Sequence, residues 1–362
     1  MPVSAVCLHS SHDTNAVCDY ANTVTGDPPT VTPYLRRSRL SFGQSESEPS
    51  VMVPATERSA ILGNHEETRR ARLPWRTGPP WPETDMTSYK AAVSCADSPR
   101  FDPDVAHPAR VYGYWLGGKD HYRADRAVGE EVIRRRPQVV AGAQANRAFL
   151  ARVVRYLAGQ RGVGQFIDIG CGLPAPDSAH EVAQAIAPQA RVVYVDNDPL
   201  VLSHARALLT SSLEGVCDCV GADLRDPGTI LRQAGRTLDL TRPAAVLLLA
   251  VLHFLSDSDD PAGTVAELAA GLAPGSFIAI SHLTADFAPD AVSSAVAAYN
   301  TLVPARITAR SHAQVTALLG GLSLVPPGVV PVVEWRRDVG DRAGQPADLY
   351  AGLAVTGGRW AR

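Results

Sequence analysis

Three acidic residues, Asp168, Asp196 and Asp223, stand near the carboxyl ends of successive short apolar runs. In an open parallel α/β sheet, the carboxyl ends of neighbouring strands lie side by side at one edge, and ligands bind just beyond that edge. Carboxylates at these positions can accept hydrogen bonds from ribose hydroxyls or face a cationic group of a ligand. We therefore predict that the three acids converge on one site for a ligand with an adenosyl group.

The first acid precedes a glycine-rich turn. Gly170 and Gly172 follow Asp168 and would let the backbone turn tightly and approach a ligand closely. The dinucleotide fingerprint GxGxxG is not completed, because Ala175 occupies the third glycine position. Asp168 suits a ligand that carries a cation, which favours S-adenosylmethionine over a nicotinamide dinucleotide. An ordinary strand-to-helix turn stays open as the alternative.

The second acid, Asp196, ends a strand and is followed by Asn197 and Asp198. An acid at this position can bind the two vicinal hydroxyls of a ribose. That ribose occurs in both candidate cofactors, so Asp196 alone does not choose between them. Asp196 could instead cap the following helix, although Asp198, directly before Pro199, fits that role better.

Two further positions complete the candidate site. Asp223, with Leu224 beside it, ends the third strand, where we expect the amino group of an adenine. His253 follows the fourth strand and places an imidazole at the rim of the same crevice. The imidazole could be a general base or a packing residue, and both interpretations stay open.

The elements that must position these residues are predicted from hydrophobic periodicity. Short apolar runs alternate with helical patterns, which is typical of a parallel sheet covered on both faces. The sequence thus predicts a doubly wound α/β domain, with two helices before the first strand and a late hairpin after the fifth. Predicted strands cover 165–170, 191–198, 217–226, 244–255, 276–283, 322–325, 329–335 and 350–355; predicted helices cover 128–136, 139–160, 178–187, 199–211, 227–234, 261–272, 289–301 and 311–320.

Composition excludes several classes of protein. The net charge of −3, from 34 basic and 37 acidic residues, gives no strong field to attract nucleic acid. No apolar run reaches the ~20 residues of a membrane span, and the N-terminus lacks the pattern of a secretory signal, so we expect a cytoplasmic protein. His, Asp, Glu and the scattered cysteines show no metal-ligand spacing, which predicts metal-independent chemistry. No pattern indicates an oligomeric state.

The first 85 residues differ in composition from the rest. They hold 10 of the 28 prolines and show no sustained apolar periodicity. We predict that residues 1–90 form a disordered extension and that the folded domain covers 100–362. The extension could be a recruitment tail, or it could be translated sequence upstream of a true start at Met86.

Several runs of the chain together resemble the actinobacterial S-adenosyl methyltransferase family, a class I group largely of unknown substrate. These runs are HPARVYGYWLGGKDHYRADR, QFIDIGCGLP, YVDND, GADLRDP and PGVVPVVEWRR. The resemblance extends from about Pro108 to the C-terminus and does not cover residues 1–85.

The resemblance implies a mostly parallel, seven-stranded, Rossmann-like sheet with an N-terminal helical cover, and S-adenosyl-L-methionine as the cofactor. It assigns Asp168, Gly170 and Gly172 to the first cofactor motif, Asp196 (with Asn197) to the ribose and Asp223 (with Leu224) to the adenine. The glycine-tyrosine motif is RVYGYWLGGKD, residues 110–120, and its paired glycines Gly117 and Gly118 would permit a tight bend. Tyr112, Tyr114 and Lys119 would cover the sulfonium; equally, the tyrosines could pack the N-terminal helices onto the sheet.

Methyl transfer to a small-molecule acceptor is the predicted function. A base is needed only for a hydroxyl or ammonium acceptor, and His253 is the first candidate, with Tyr114 and His282 behind it. Two alternatives stay open. One is a non-catalytic sensor or scaffold that binds the cofactor, and the other is an NAD-dependent oxidoreductase.

Overall fold

A computed structural model describes residues 102–337 and 347–358. The predicted N-terminal extension therefore lies outside the described residues. The strands are β1 (Gln165–Ile169), β2 (Arg191–Asp196), β3 (Val216–Gly221), β4 (Ala245–Leu249), β5 (Phe277–Leu283), β6 (Ser323–Leu324), β7 (Val330–Pro331) and β8 (Leu349–Val355). The helices are α1 (Pro108–Trp115), α2 (Arg123–Arg135), α3 (Gln138–Arg161), α4 (Ala179–Ile186), α5 (Pro199–Leu208), α6 (Pro227–Ala234), α7 (Pro261–Ala270), α8 (Pro289–Leu302) and α9 (His312–Ala317).

The described strands form one sheet in the order β3-β2-β1-β4-β5-β8-β6. Strands β1 to β5 pair in parallel, and β8 is antiparallel to β5. Both β6 and β7 pair with β8, β6 opposite Ala354 and Val355, and β7 opposite Tyr350 and Ala351. The predicted doubly wound, mostly parallel fold is confirmed. The two short strands β6 and β7 together form the edge of the sheet next to β8.

Alternate residues of the strands pack on opposite faces of the sheet, as the period of two requires. Phe166 and Leu247 belong to a core beneath α3 and α4, whereas Ile167 and Leu248 belong to a second core beneath α6 and α7. Every residue of β1 and β4 is buried. The near-continuous apolar runs that predicted these strands therefore reflect burial on both faces.

The N-terminal cover consists of three helices rather than the two predicted from periodicity. Helices α2 and α3 lie where they were expected, but α1 occupies the glycine-tyrosine motif, for which only a bend was expected. Pro108 starts α1 with a φ angle suited to a first helical residue. Gly117, at φ +78°, supplies the bend after the helix.

Three predicted strands are wrong in extent. The strand expected at 217–226 ends at Gly221. The strand expected at 244–255 ends at Leu249, because Ala250 adopts φ +55° and a turn of 3-10 helix follows at Leu252–Phe254. The strand expected at 329–335 pairs only at Val330–Pro331 and then turns. Its apolar residues are buried by packing instead, since the Trp335 ring lies edge-on to the Phe149 ring at 5.2 Å.

A buried charge cluster joins the helical cover to the end of β2. His107 Nδ1 lies 2.9 Å from Asp198 Oδ2, and Arg110 Nε lies 3.8 Å from the same oxygen and 3.6 Å from Asp125 Oδ1. Asp198 also caps α5 by accepting a hydrogen bond from the Leu200 N–H at 2.8 Å, which confirms its predicted capping role. One carboxylate thus contacts a helix start and two basic side chains of the cover.

Replacing Asp198 by Ala should cost about 3–5 kcal/mol of unfolding free energy, because Arg110 loses a partner inside the protein. Asp226→Ala is the matched control, since Asp226 also caps a helix with Pro at its first position but is exposed. Urea unfolding should show a clearly smaller loss for the control. Equal losses in the two variants would mean that the charge cluster adds no stability.

Candidate active site

A cavity of about 290 Å³ lies at the carboxyl ends of the parallel strands and is covered by α1, α2, α3 and α8. The structure brings nearly all of the sequence-predicted site residues to this one cavity. Those that line it are Asp168, Gly170, Gly172, Asp196, Asn197, Asp223, Leu224 and His253.

The loop after β1 has the tight geometry that its glycines were expected to allow. Gly170 adopts φ +70°, and a Cβ there would lie 2.5 Å from Val251 Cγ2. Gly172 adopts φ +66°, and its N–H donates to Asp196 Oδ2 at 2.9 Å. Glycine is therefore required at position 170 both by backbone conformation and by contact with the β4 loop.

Asp196 ties the ends of β1 and β2 together. Its Oδ2 accepts from the Gly172 N–H and its Oδ1 accepts from the Asp198 N–H, each at 2.9 Å. Burial raises the pKa of Asp196, while these two N–H donors and His107 lower it. Each carboxylate oxygen can accept a second hydrogen bond, so Asp196 retains acceptor capacity toward the cavity.

The end of β3 supplies a more open part of the site. Asp223 is half-exposed and accepts a hydrogen bond from the Arg225 N–H at 2.8 Å. Asn197 Nδ2 lies 3.4 Å from the second Asp223 oxygen, so the ends of β2 and β3 meet through their side chains. Leu224 is buried and gives this part of the cavity an apolar surface.

Asp168 is a buried acid of the site with a strongly shifted pKa. Burial raises its pKa to about 7, with Arg147 opposing the shift and Asp196 adding to it. Arg147, on α3, also lines the cavity and donates to the Pro176 carbonyl at 2.9 Å. Sequence reasoning missed Arg147, because a polar residue on a helix is ordinarily interpreted as part of a solvated face.

His253 lies in the 3-10 turn after β4 and is nine-tenths buried. Its pKa is held well below the usual value by burial, with further effects from His282 and Arg310. Nδ1 has no hydrogen-bond partner among the described residues. The imidazole is therefore neutral at pH 7 and retains a free nitrogen.

Neither of the other two candidate bases is suitably placed. Tyr114 is not among the residues that line the cavity, and its hydroxyl donates to Glu130 at the protein surface over 3.4 Å. His282 is fully buried, with Nδ1 bound to the Leu283 carbonyl and Nε2 bound to Arg310. The expectation of a catalytic role for Tyr114 is corrected, because α1 points its ring toward α2 rather than into the cavity.

A chain of hydrogen bonds that sequence reasoning also missed crosses the cavity wall. Asn146 donates from Nδ2 to the Tyr112 hydroxyl at 3.1 Å, and the Ser281 hydroxyl donates to Asn146 Oδ1 at 2.6 Å. Ser281 in turn accepts from the Ala250 N–H at 2.9 Å. Burial raises the pKa of Tyr112, which keeps its hydroxyl neutral. These contacts fix α1, α3 and β5 relative to the end of β4.

Residues 102–337 and 347–358 contain neither a metal-binding cluster nor a membrane-spanning helix. No group of three or more His, Cys, Asp or Glu side chains there is arranged to hold a metal ion. No helix there combines the length and hydropathy of a membrane span.

The model of a family described as S-adenosyl methyltransferase matches residues 94–357. The chain belongs to this family. It is similar to the crystal structure of a DUF574 family protein from Streptomyces avermitilis, with 41% identity over 71% of this chain and 100% of that one and a TM-score of 0.68. It is also similar to a protein from Thermobifida fusca YX solved as a candidate methyltransferase, with 37% identity over 70% and 96% of the two chains and a TM-score of 0.65. A search of curated proteins gave no match.

The family is that of enzymes dependent on S-adenosylmethionine, and the residues present in the cavity fit this cofactor. Acidic side chains suit its ribose and ammonium groups, and Leu224 suits the face of an adenine. Gly172 leaves open space beside the loop after β1, since no atom lies within 4 Å of the place that its Cβ would occupy.

The raised pKa of Asp168 predicts a pH-dependent stability. Because the pKa is higher in the folded state (about 7) than in the unfolded state, the native protein binds a proton more tightly, and stability falls as pH rises from about 4 to about 7. Asp168→Asn removes this titration. The ligand-free variant should gain a few kcal/mol at most over wild type at pH 8, and much less at pH 4.

Thermal unfolding between pH 4 and pH 8 measures this effect. Asp223→Asn is the control, because Asp223 is a half-exposed carboxylate in the same cavity. Parallel profiles for Asp168→Asn and wild type would show that Asp168 does not bind a proton preferentially in the folded protein.

Proposed function

We propose that this protein transfers the methyl group of S-adenosylmethionine to a small-molecule acceptor bound inside the cavity. The observation that supports the proposal most directly is that Asp168, Asp196, Asp223 and the neutral His253 line a single cavity. That cavity continues past the strand ends toward α8, which leaves a place for a second molecule beside the cofactor.

Each part of the cofactor has a complementary group in the proposal. Asp196 accepts hydrogen bonds from the ribose hydroxyls, with Asn197 beside it, and Asp223 and Leu224 bind the adenine. Asp168 faces the ammonium of the amino-acid part. Arg147, whose charge acts on Asp168, binds the carboxylate of the same part. This pair of opposite charges matches a zwitterion.

The cofactor supplies an electrophilic methyl group on a sulfonium. The protein then has to position the acceptor in line with it and exclude water, and positioning of this kind is worth up to ~7–11 kcal/mol. The Tyr112–Asn146–Ser281 chain makes the wall of the cavity rigid. A direct displacement of this kind needs no metal ion, so we propose metal-independent chemistry.

His253 is the proposed general base when the molecule that receives the methyl group must lose a proton. Arg310 holds the turn that carries it by donating to the carbonyls of Leu252 and Leu255. Because burial keeps the pKa of His253 low, the imidazole is a weak base and suits an acidic hydroxyl better than an alkyl alcohol.

The two alternatives are less well supported. A sensor or scaffold needs no acceptor space, whereas the cavity extends to Val292, Val296 and Tyr299 on α8. A nicotinamide dinucleotide carries no ammonium for Asp168, and Ala175 stands where its fingerprint requires glycine.

Calorimetry tests the cofactor assignment. S-adenosylmethionine and S-adenosylhomocysteine should bind and NAD should give no binding heat. Asp196→Ala should weaken binding of S-adenosylhomocysteine at least tenfold, because the ribose hydroxyls lose their acceptor. Circular dichroism of the variant checks that the fold is kept, and an unchanged affinity in a folded variant would remove Asp196 from the site.

A second binding experiment isolates the amino-acid part. Arg147→Met and Asp168→Asn should each weaken S-adenosylhomocysteine about tenfold and leave 5′-methylthioadenosine, which lacks the amino-acid part, unaffected. Calorimetry with both ligands measures the difference. If the variants weaken both ligands equally, the two residues support the fold of the site rather than contact the amino-acid part.

A further inference from the structure

The half of the cavity farther from β1, β2 and β3 is less polar than the half at the strand ends. We call it the acceptor compartment and define it by the lining side chains Trp115, Val132, Val139, Val292, Val296 and Ile307. Most of these residues belong to, or pack against, a third core cluster shared by α1, α2 and α8. Its walls are therefore apolar.

The charged groups at this end of the cavity neutralise each other. Arg136 donates from Nε and Nη2 to the two carboxylate oxygens of Asp348 at 2.7 and 3.0 Å. Both residues line the cavity, and both side chains are largely buried. A charged acceptor would lose its hydration here without gaining a counter-ion, which costs several kcal/mol per charge.

Two buried polar atoms in the same lining have no hydrogen-bond partner among the described residues. They are Gln138 Oε1 and His253 Nδ1. An amide oxygen only accepts hydrogen bonds, and a neutral imidazole nitrogen can accept one. A buried acceptor without a donor costs ~1–3 kcal/mol, and a ligand with an O–H group is of the kind that removes this cost where it reaches either atom.

The aromatic side chains in the walls restrict the class of ligand further. Trp115, Phe254 and Tyr299 all line the cavity, and aromatic side chains pack well against a flat ring. A ring hydroxyl also loses its proton far more readily than an alkyl hydroxyl, with a pKa of about 10 for a phenol. Such a proton suits the weakly basic imidazole of His253.

We propose that the acceptor is an uncharged aromatic compound with a ring hydroxyl, and that the methyl group is transferred to its oxygen. This inference rests on the proposed function. The hydroxyl oxygen forms the new O–C bond as the S–C bond breaks, and the electron pair of that bond stays on sulfur. The hydroxyl proton passes to His253, so the products are a neutral thioether, an aryl methyl ether and an imidazolium.

Three probes with one ring system test the charge selectivity: 2-naphthol, 2-naphthoate and the 2-naphthylmethylammonium ion. Calorimetry of the full chain, saturated with S-adenosylhomocysteine, should show 2-naphthol binding at least tenfold more tightly than either ion. Equal or tighter binding of an ion, or no binding of 2-naphthol, would overturn the inference. Failure of S-adenosylhomocysteine itself to bind would instead contradict the proposed function.

A pair of variants places the binding in the acceptor compartment. Val296→Asp puts a carboxylate into the lining and should weaken 2-naphthol at least tenfold without changing the affinity for S-adenosylhomocysteine. Val105→Asp is the control, because Val105 is exposed and lies outside the lining. Unchanged 2-naphthol affinity in Val296→Asp would show that the ring binds elsewhere.

The atom that receives the methyl group is tested with labelled S-adenosylmethionine. Saturating 2-naphthol should yield labelled 2-methoxynaphthalene, and His253→Ala should lower that rate at least tenfold while 2-naphthol still binds. Labelled product from the ammonium probe alone, or none from bound 2-naphthol, would overturn transfer to oxygen.

Discussion

The two hydrogen bonds accepted by the Asp196 carboxylate are the constraint on which the site depends. They join the glycine loop after β1 to the first residues after β2, which are separate segments of the chain. The next acid, Asp198, then carries the helical cover through His107 and Arg110. Neighbouring carboxylates thus position the glycine loop on one side of the cavity and the helical cover on the other. N–H donors and basic side chains offset part of the desolvation of both carboxylates.

The two halves of the cavity differ in the charged side chains that they offer to a ligand. Acids with retained acceptor capacity lie at the ends of β1, β2 and β3, while the half toward α8 is apolar and its ion pair is internally matched. Burial raises the pKa of Asp168, which is consistent with the proposed binding of a cationic group there. This asymmetry gives the two reactants of a transfer reaction different chemical surroundings within one cavity.

Local patterns predicted the parts of the structure that are set locally or by topology. The strands β1, β2, β4 and β5 were predicted because they are apolar and buried on both faces, whereas β3 lies at the edge of the sheet and is partly exposed. The acids converge because parallel strands end at one edge. Three failures of prediction have a different cause. They are the catalytic role expected of Tyr114, the strand expected at 329–335, and Arg147, which was not predicted as a site residue. Each depends on which distant segment packs nearby: α2 for Tyr114, the ring of Phe149 for Trp335, and the loop after β1 for Arg147.

Strand β8 lies in the interior of the sheet, between β5 and β6, although it comes last among the described strands. During synthesis β5 emerges long before its antiparallel neighbour and must wait with one edge unpaired and apolar. The sheet closes only once the chain has been made through Val355, so native packing is acquired late. A ribosome that stops before Leu349 therefore leaves a nascent chain with an open strand edge, which is the kind of surface that chaperones bind and aggregates extend.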